Sequence, residues 1–275
     1  MLVKKASGLE ELFQVEKLEK SLRNAGAGAD IIEIILKDLE KFAFPGITTK
    51  KIYSRAFSQL KKYQTSIAVR YKLKQAILEL GPTGYPFENL IGQLFEHKGY
   101  SCEVGIIVNG QCTTHEMDVI ATGELQQHLC ECKYHLSQGS PVSIQVPLYV
   151  RSRVNDIVDY RERLPDYKDF TFIGWVVTNT RLSLDSIEYG RCSGLKLLAW
   201  DYPAGNGLKE QLEHYKLYPV TVMTSLTKQE KQAIIAKGVI TCRQILQNQD
   251  MLKDFQFSEK KSRAVFQEAE EICGI

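Results

Sequence analysis

The sequence predicts an α/β protein in three units: a mainly helical unit over residues 1–82, a central αβββαβ unit over 83–215, and a small helical tail over 216–275. Three observations predict this. Helical apolar spacing dominates the front of the chain, with Pro45-Gly46 and Gly81-Pro82 as stops. Between Tyr100 and Tyr134 the pattern changes to period two, in runs separated by turn residues. In the tail, short helical patterns return and break at Gly238.

In the first unit, Leu2 to Lys5 reads as a short strand closed by Ser7-Gly8, paired with a second near Glu11 to Gln14. Helices are predicted over Val15 to Ala25 and Ala29 to Phe44, the latter with Ile31, Ile34, Ile35 and Leu39 inward. Thr48 or Thr49 caps a third helix through Leu60, with Ile52, Tyr53, Ala56 and Phe57 inward. A fourth spans Ser66 to Leu80.

The central unit opens with a helix from Phe87 to Lys98. It buries Leu90, Ile91, Leu94 and Phe95 and carries Glu88 near its N-terminus, where the helix dipole favours a carboxylate. Tyr100 to Val108 is a strand with Cys102, Val104 and Ile106 on one face, and Asn109-Gly110 is a hairpin turn. Strands follow at Thr113 to Ala121 and Leu129 to Tyr134, joined through Thr122-Gly123-Glu124. Val142 to Leu164 is mostly helix, with Arg151, Arg153, Arg161 and Arg163 on its polar side, where they suit phosphates or plain solvation. The apolar run Phe170 to Thr178 is a buried strand, followed by a helix over Leu184 to Arg191 and a strand over Leu195 to Trp200. In the tail, Ser225 or Thr227 caps a helix, Gly238 turns into a second, and a further pair is expected at Leu252 to Phe257 and Ser258 to Cys273.

Two strands carry the chemistry. Side chains alternate along a strand, so Glu131 and Lys133 share one face while Cys130, Cys132 and Tyr134 take the other, packed one. The loop after Thr122 brings Asp118 level with Glu131. Two close carboxylates raise each other's pKa unless a cation lies between them. Mg²⁺, or Mn²⁺, suits that place, since it takes one or two carboxylates, several waters and a phosphate oxygen. Asp118 and Glu131 are therefore the candidate metal ligands.

This pattern resembles the PD-(D/E)xK nuclease signature, and within it the Mrr-type (type IV) restriction endonuclease branch. The residues that carry the resemblance are Glu88 in PFENLIGQLFEHKGY, then Asp118, then Glu131-x-Lys133, with Gln145 on the following helix. VVTNTRLSLDSIEYG and GLKLLAW fit the same branch. Met117 stands where the family has Pro. The resemblance implies a restriction-endonuclease-like fold and a Mg²⁺-dependent deoxyribonuclease with catalytic residues Glu88, Asp118, Glu131, Lys133 and Gln145. The first unit resembles the ATP-cone, the regulatory module of ribonucleotide reductases. Val3, Lys5, Gly8, Glu11, Phe13, Lys17 and Leu18 carry that match, with Thr49-x-x-Ile52 and Ala68-x-x-Tyr71. The family's Arg and Asp after the first Lys are Ala6 and Ser7 here. ATP or dATP binding is implied, with Val3, Lys4, Lys5, Glu11, Lys17 and Thr49 as nucleotide-binding positions. The tail is similar to a helix-hairpin-helix DNA-binding element, in which amides at the hairpin glycine hold a phosphate. A packing or oligomerisation appendage is the alternative.

Bulk properties set the remaining expectations. Hydrophobic content of 44% and charged content of 25% suit a folded protein with a real core. The net charge of +2 excludes a globally basic polyanion binder, so any nucleic-acid surface is local. Seven cysteines, an odd number in a long chain, read as reduced thiols. No apolar run has membrane-spanning length, and MLVKKASG lacks a signal-peptide core, so a cytoplasmic protein is expected. The partners expected are DNA, ATP or dATP and a second copy of the chain, with no membrane. Two functions compete: a nucleotide-regulated endonuclease, and a nucleotide-sensing DNA-binding regulator whose nuclease fold does not cleave.

Overall fold

In the computed structural model the described residues are 1–5, 9–137, 139 and 141–274. The expected Ser7-Gly8 turn lies outside them. The fold is mixed α/β, with eleven α-helices among the described residues and a central five-stranded sheet.

The front of the chain forms a two-stranded antiparallel ribbon, β1 (Leu2–Lys4) and β2 (Glu10–Leu12), with Val3 opposite Glu11. Four helices follow: α1 (Val15–Asn24), α2 (Ala29–Phe42), α3 (Thr49–Tyr63) and α4 (Thr65–Leu78). Thr48 caps α3 by accepting from the Lys51 N–H. Their core contains Val3, Leu18, Leu22, Ile32, Ile35, Leu39, Ile52 and Ala56. The inward stripe of α2 thus runs through Ile32, while Ile34 is exposed; an apolar run allows two helical registers, and packing against α3 selects one. Tyr53 is likewise exposed rather than inward, stacked on Tyr71.

The central sheet comprises β3 (Ser101–Asn109), β4 (Thr114–Thr122), β5 (Gln126–Lys133), β6 (Thr171–Thr178) and β7 (Lys196–Leu198), in that spatial order. The first three are antiparallel, and β6 and β7 continue in parallel with β5. Helix α5 (Tyr85–Glu96) covers one face; α6 (Gln145–Arg161) and α7 (Leu184–Cys192) cover the other. The face of β3 is not the single one expected. Cys102 and Val104 pack toward α5, whereas Ile106 and Val108 pack toward α6. The switch falls at Gly105, whose φ of +65° lies in the left-handed region that favours glycine. The Asn109-Gly110 turn is a four-residue loop, closed by the Gly110 N–H on the Thr113 carbonyl at 2.7 Å.

After β7 the central unit ends in α8 (Leu208–His214), and the tail contains α9 (Lys228–Ala236), α10 (Cys242–Gln247) and α11 (Glu259–Cys273). Thr227 and Glu230 form a capping box on α9. The helix expected from Leu252 is a 3₁₀ segment, Gln249–Phe255. One core joins the second half of α4 (Leu73, Ala76, Ile77), α5, the near face of the sheet and the tail (Leu226, Ile234, Val265, Ile272). It crosses positions 82 and 215, so α4 serves two cores. Among the described residues no helix is long and apolar enough to cross a membrane.

Candidate active site

The site forms where β4 and β5 part. Their ladder runs from Thr122↔Gln127 to Val119↔Cys130 and stops one pair before Asp118 would meet Glu131. The Asp118 side chain takes over the next position: its Oδ2 accepts the Cys132 backbone N–H at 2.6 Å. On β5, Cys130 and Cys132 face the α5 core. Glu131 points the other way, toward α6. It is only 4% exposed, and both of its oxygens are engaged. Oε1 accepts from Lys133 Nζ at 2.6 Å and from the Tyr149 hydroxyl at 2.6 Å. Oε2 accepts from the Arg153 guanidinium, which also donates to the Glu116 carbonyl at 3.2 Å.

The end of β5 is held firmly. The Thr178 hydroxyl donates to the Lys133 carbonyl at 2.7 Å. Asn179 accepts the His135 N–H at 2.9 Å and donates to its carbonyl at 2.8 Å. Tyr134 donates to the terminal carbonyls of α4, Ile77 and Leu78, at 3.1 and 3.0 Å. Buried polar groups require such partners. The last contact ties the first unit to the strand that carries Lys133.

Electrostatics show an uneven distribution of charge. Burial first, then the charge of Glu131, pushes the Asp118 carboxyl up to about 6. Burial, then Asp118, pushes Glu88 up to about 7. Burial opposes the charge of Lys133, yet the hydrogen bond to Glu131 wins and holds its pKa above the ordinary lysine range. Among the described residues Glu131 therefore lies between two cations, while Asp118 and Glu88 form no ion pair.

Among the described residues no group of three or more His, Cys, Asp or Glu side chains is arranged to hold a metal ion. Asp118 and Glu131 would supply two carboxylates, a number that suits Mg²⁺ completed by water and a phosphate. The raised Asp118 pKa marks a place where added positive charge is favourable, and only Oδ2 of Asp118 is hydrogen-bonded among the described residues. The donor set fits a hard divalent ion, with the condition that Arg153 yields an oxygen of Glu131.

Gln145 is the first residue of α6 and is exposed, and its side chain makes no hydrogen bond among the described residues. It leads a stripe with Tyr149 and Arg153, each four positions apart, on one side of the helix. The sequence offers Arg153 as a polar-face residue facing phosphate or solvent, whereas the structure places it on Glu131; Tyr149 was not singled out, and its spacing from Gln145 was the available signal. Arg161 is not on a phosphate-facing side: it is 6% exposed, bonds Gln127 and lies 5.1 Å from the Tyr167 ring centroid.

In the first unit the Lys4 N–H bonds the Ile47 carbonyl at 3.0 Å and Lys4 bridges Thr48, which brings Thr49 beside the lysine strand. Lys5 pairs with Glu11 at 2.7 Å, Val3 is buried in the core and Lys17 is exposed on α1. In the tail, the hairpin amides are all occupied. Those of Gly238 and Val239 bond the Ile235 and Ile234 carbonyls, and those of Ile240 and Thr241 bond Gln244 Oε1. They are not presented to a phosphate as the helix-hairpin-helix resemblance implies.

Comparison with known proteins adds the following. Residues 218–273 match the family model described as AF1548-like, C-terminal. An uncharacterized protein of Archaeoglobus fulgidus is 29% identical over 187 residues, 67% of this chain and 100% of that protein. The crystal structure of the protein of unknown function AF1548 is similar with a TM-score of 0.57 and 28% identity, over 70% of this chain and 99% of that one. The MspJI restriction endonuclease, in complex with a 27-mer oligonucleotide, is weakly similar: TM-score 0.34, 16% identity, 62% of this chain and 36% of that one. Over most of its length the chain is thus similar in sequence and fold to AF1548, and at residues 218–273 to the C-terminal family that bears its name.

Proposed function

We propose that the protein is a divalent-metal-dependent endonuclease that hydrolyses DNA phosphodiester bonds. The observation that carries this reading is the splay of β4 and β5, which sets the Asp118 carboxylate beside the strand bearing Glu131 and Lys133. Asp118 and Glu131 would hold the Mg²⁺ or Mn²⁺. When bound, the metal supplies Lewis-acid polarisation of the phosphoryl group and acidifies a water. Lys133 remains charged, because Glu131 stabilises its ammonium form. It acts as a fixed positive charge against the developing oxyanion, not as a base. Glu88 exchanges its proton near neutrality, which suits it to take the proton of the attacking water. Gln145, at the exposed head of α6, would orient the scissile phosphate.

The first unit would bind ATP or dATP at the Lys4, Lys5, Glu11, Lys17 and Thr49 edge. The support is the ATP-cone resemblance together with the Lys4–Thr48 bridge that gathers these positions. The Tyr134 contact with α4 is a route by which nucleotide would reach Lys133. A DNA-binding regulator that does not cleave is the second reading, favoured by the occupation of both Glu131 oxygens. A cleavage assay on supercoiled and methylated DNA with Mg²⁺ or Mn²⁺, with and without ATP, decides between them. Metal-dependent nicking lost in Asp118→Ala and Lys133→Ala supports the enzyme, and DNA binding without nicking supports the regulator.

A further inference from the structure

We propose that Arg153 is a gate: it occupies Oε2 of Glu131 in the resting protein, and an incoming phosphodiester draws it away so that metal and DNA enter together. This rests on the nuclease reading of the site but concerns a step that precedes any cutting.

The charge count motivates it. Asp118, Glu131, Lys133 and Arg153 sum to zero as they stand, and Glu88 adds one negative charge when ionised. A divalent ion added with Arg153 in place leaves a surplus of one to two positive charges in a partly buried space. A phosphodiester brings one negative charge and offers two oxygens to a planar guanidinium, the bidentate partner that Arg binds best. Arg153 is the group able to move. Its side chain is 27% exposed, against 5% for that of Glu131. It lies with its guanidinium 5.3 Å from the Tyr149 ring centroid, a surface along which it can slide toward the exposed end of α6. Lys133 is also partly exposed and lies over the same ring at 5.4 Å, but it binds Oε1, the oxygen that Tyr149 also holds, so its departure would leave Oε2 still covered by Arg153. Tyr149 keeps Glu131 oriented while Arg153 departs.

The consequence is a coupling between two ligands, which must be reciprocal. Mn²⁺ alone binds the wild-type protein weakly, and a short DNA duplex with phosphorothioate linkages, chosen to resist cutting, tightens it. Removing the gate makes the site open without DNA.

The test measures free Mn²⁺ by electron paramagnetic resonance in titrations of wild-type protein, Arg153→Met, Arg153→Gln and Arg153→Lys, each with and without that duplex. Arg153→Met is expected to bind Mn²⁺ alone at least tenfold tighter than wild type and to lose the enhancement by DNA. Arg153→Lys, which keeps the charge on Glu131 but not the planar fork, should keep the weak binding of Mn²⁺ alone and show a smaller enhancement by DNA than wild type. Arg153→Gln, which keeps a hydrogen-bond donor for Glu131, covers the case in which the Met variant does not fold; it should also bind tighter. Unchanged or weaker Mn²⁺ binding in a folded Met or Gln variant overturns the proposal. Cutting of ordinary DNA is assayed separately. A wild-type protein that binds Mn²⁺ under this gate yet cuts nothing would remove the nuclease reading and leave the gate standing.

Discussion

The Asp118 carboxylate accepts the Cys132 backbone N–H at 2.6 Å, replacing a ladder bond that β4 does not make there. The contact has a structural use and a chemical one, which an amide separates. Asp118→Asn keeps an acceptor for Cys132 and removes the buried charge. The Asp118 carboxyl is raised, to about 6 from 3.8, by burial and by Glu131. A raised carboxyl contributes its full share of stability below the unfolded pKa, and that share is lost as pH rises through the folded one. At pH 7 the Asn variant is therefore expected to melt at or above wild type, while metal-dependent cutting falls at least a hundredfold. Asp118→Ala should lose cutting and also about 1–3 kcal/mol, because Cys132 is left without a partner. Calorimetric melting at pH 7 beside a nicking assay checks both.

Gly105 lies opposite Asp118 in the β3–β4 register, between the pairs Val104↔Val119 and Ile106↔Met117. A Cβ there meets the Tyr85 ring at an ordinary 3.5 Å, so space does not forbid alanine. The φ of +65° does penalise it. Gly105→Ala is expected to cost about 1–2 kcal/mol of conformational strain. Since the strand changes face at this residue, relaxation would shift the Asp118 strand as well. Urea denaturation together with Mn²⁺ affinity would register the two effects.

Acid stability should fall in two stages. His128 accepts from the Trp175 indole at 2.8 Å, and its ring packs edge-on to Tyr100 at 4.6 Å. Its Nε2 has no hydrogen-bond partner among the described residues. Burial, then Lys98, lowers its pKa to about 4 from 6.5. A depressed histidine contributes fully above 6.5 and loses that contribution as pH falls toward 4. Glu268 acts below that. It is 7% exposed and accepts the Thr224 and Ser225 amides at 2.7–2.9 Å and Lys61 at 2.5 Å. Burial opposes its charge, but these donors hold its pKa down to about 2 from 4.5. Its contribution, on the order of 3 kcal/mol, is present above 4.5 and lost on descent toward 2. Denaturation midpoints measured from pH 7 to 3 should flatten above pH 4 in His128→Gln. In Glu268→Gln they should flatten below 4.5.

Asn179 is 1% exposed and serves both backbone groups of His135. Asn179→Leu strands an N–H and a carbonyl, an expected cost of about 2–4 kcal/mol. Because the same bonds hold the end of β5, the variant should also lower the cutting rate with little change in the concentration of DNA needed for half-maximal rate. Equal loss in rate and apparent affinity would mean a general loosening instead.

The sequence by itself determined the local elements and their order. Period-two runs bounded by Asn109-Gly110 and Thr122-Gly123 specify three strands. The alternation within CECK specifies that Glu131 and Lys133 share a face. Thr48 and Thr227 are legible as caps because a hydroxyl must satisfy an exposed helical N–H. These are short-range effects, encoded within a few residues. What only the tertiary structure decided is where long-range packing overrides local pattern. Ile32 rather than Ile34 faces the core because α3 lies on that side. Gly105 changes the face of β3 because two cores meet there. The tail joins α4 and α5 in one core, which no local periodicity can announce. Tyr149 and Arg153 reach Glu131 across 18 and 22 positions of chain. Side chains so distant in sequence come together only once α6 is laid on the sheet, and the charge balance of the site is set at that moment.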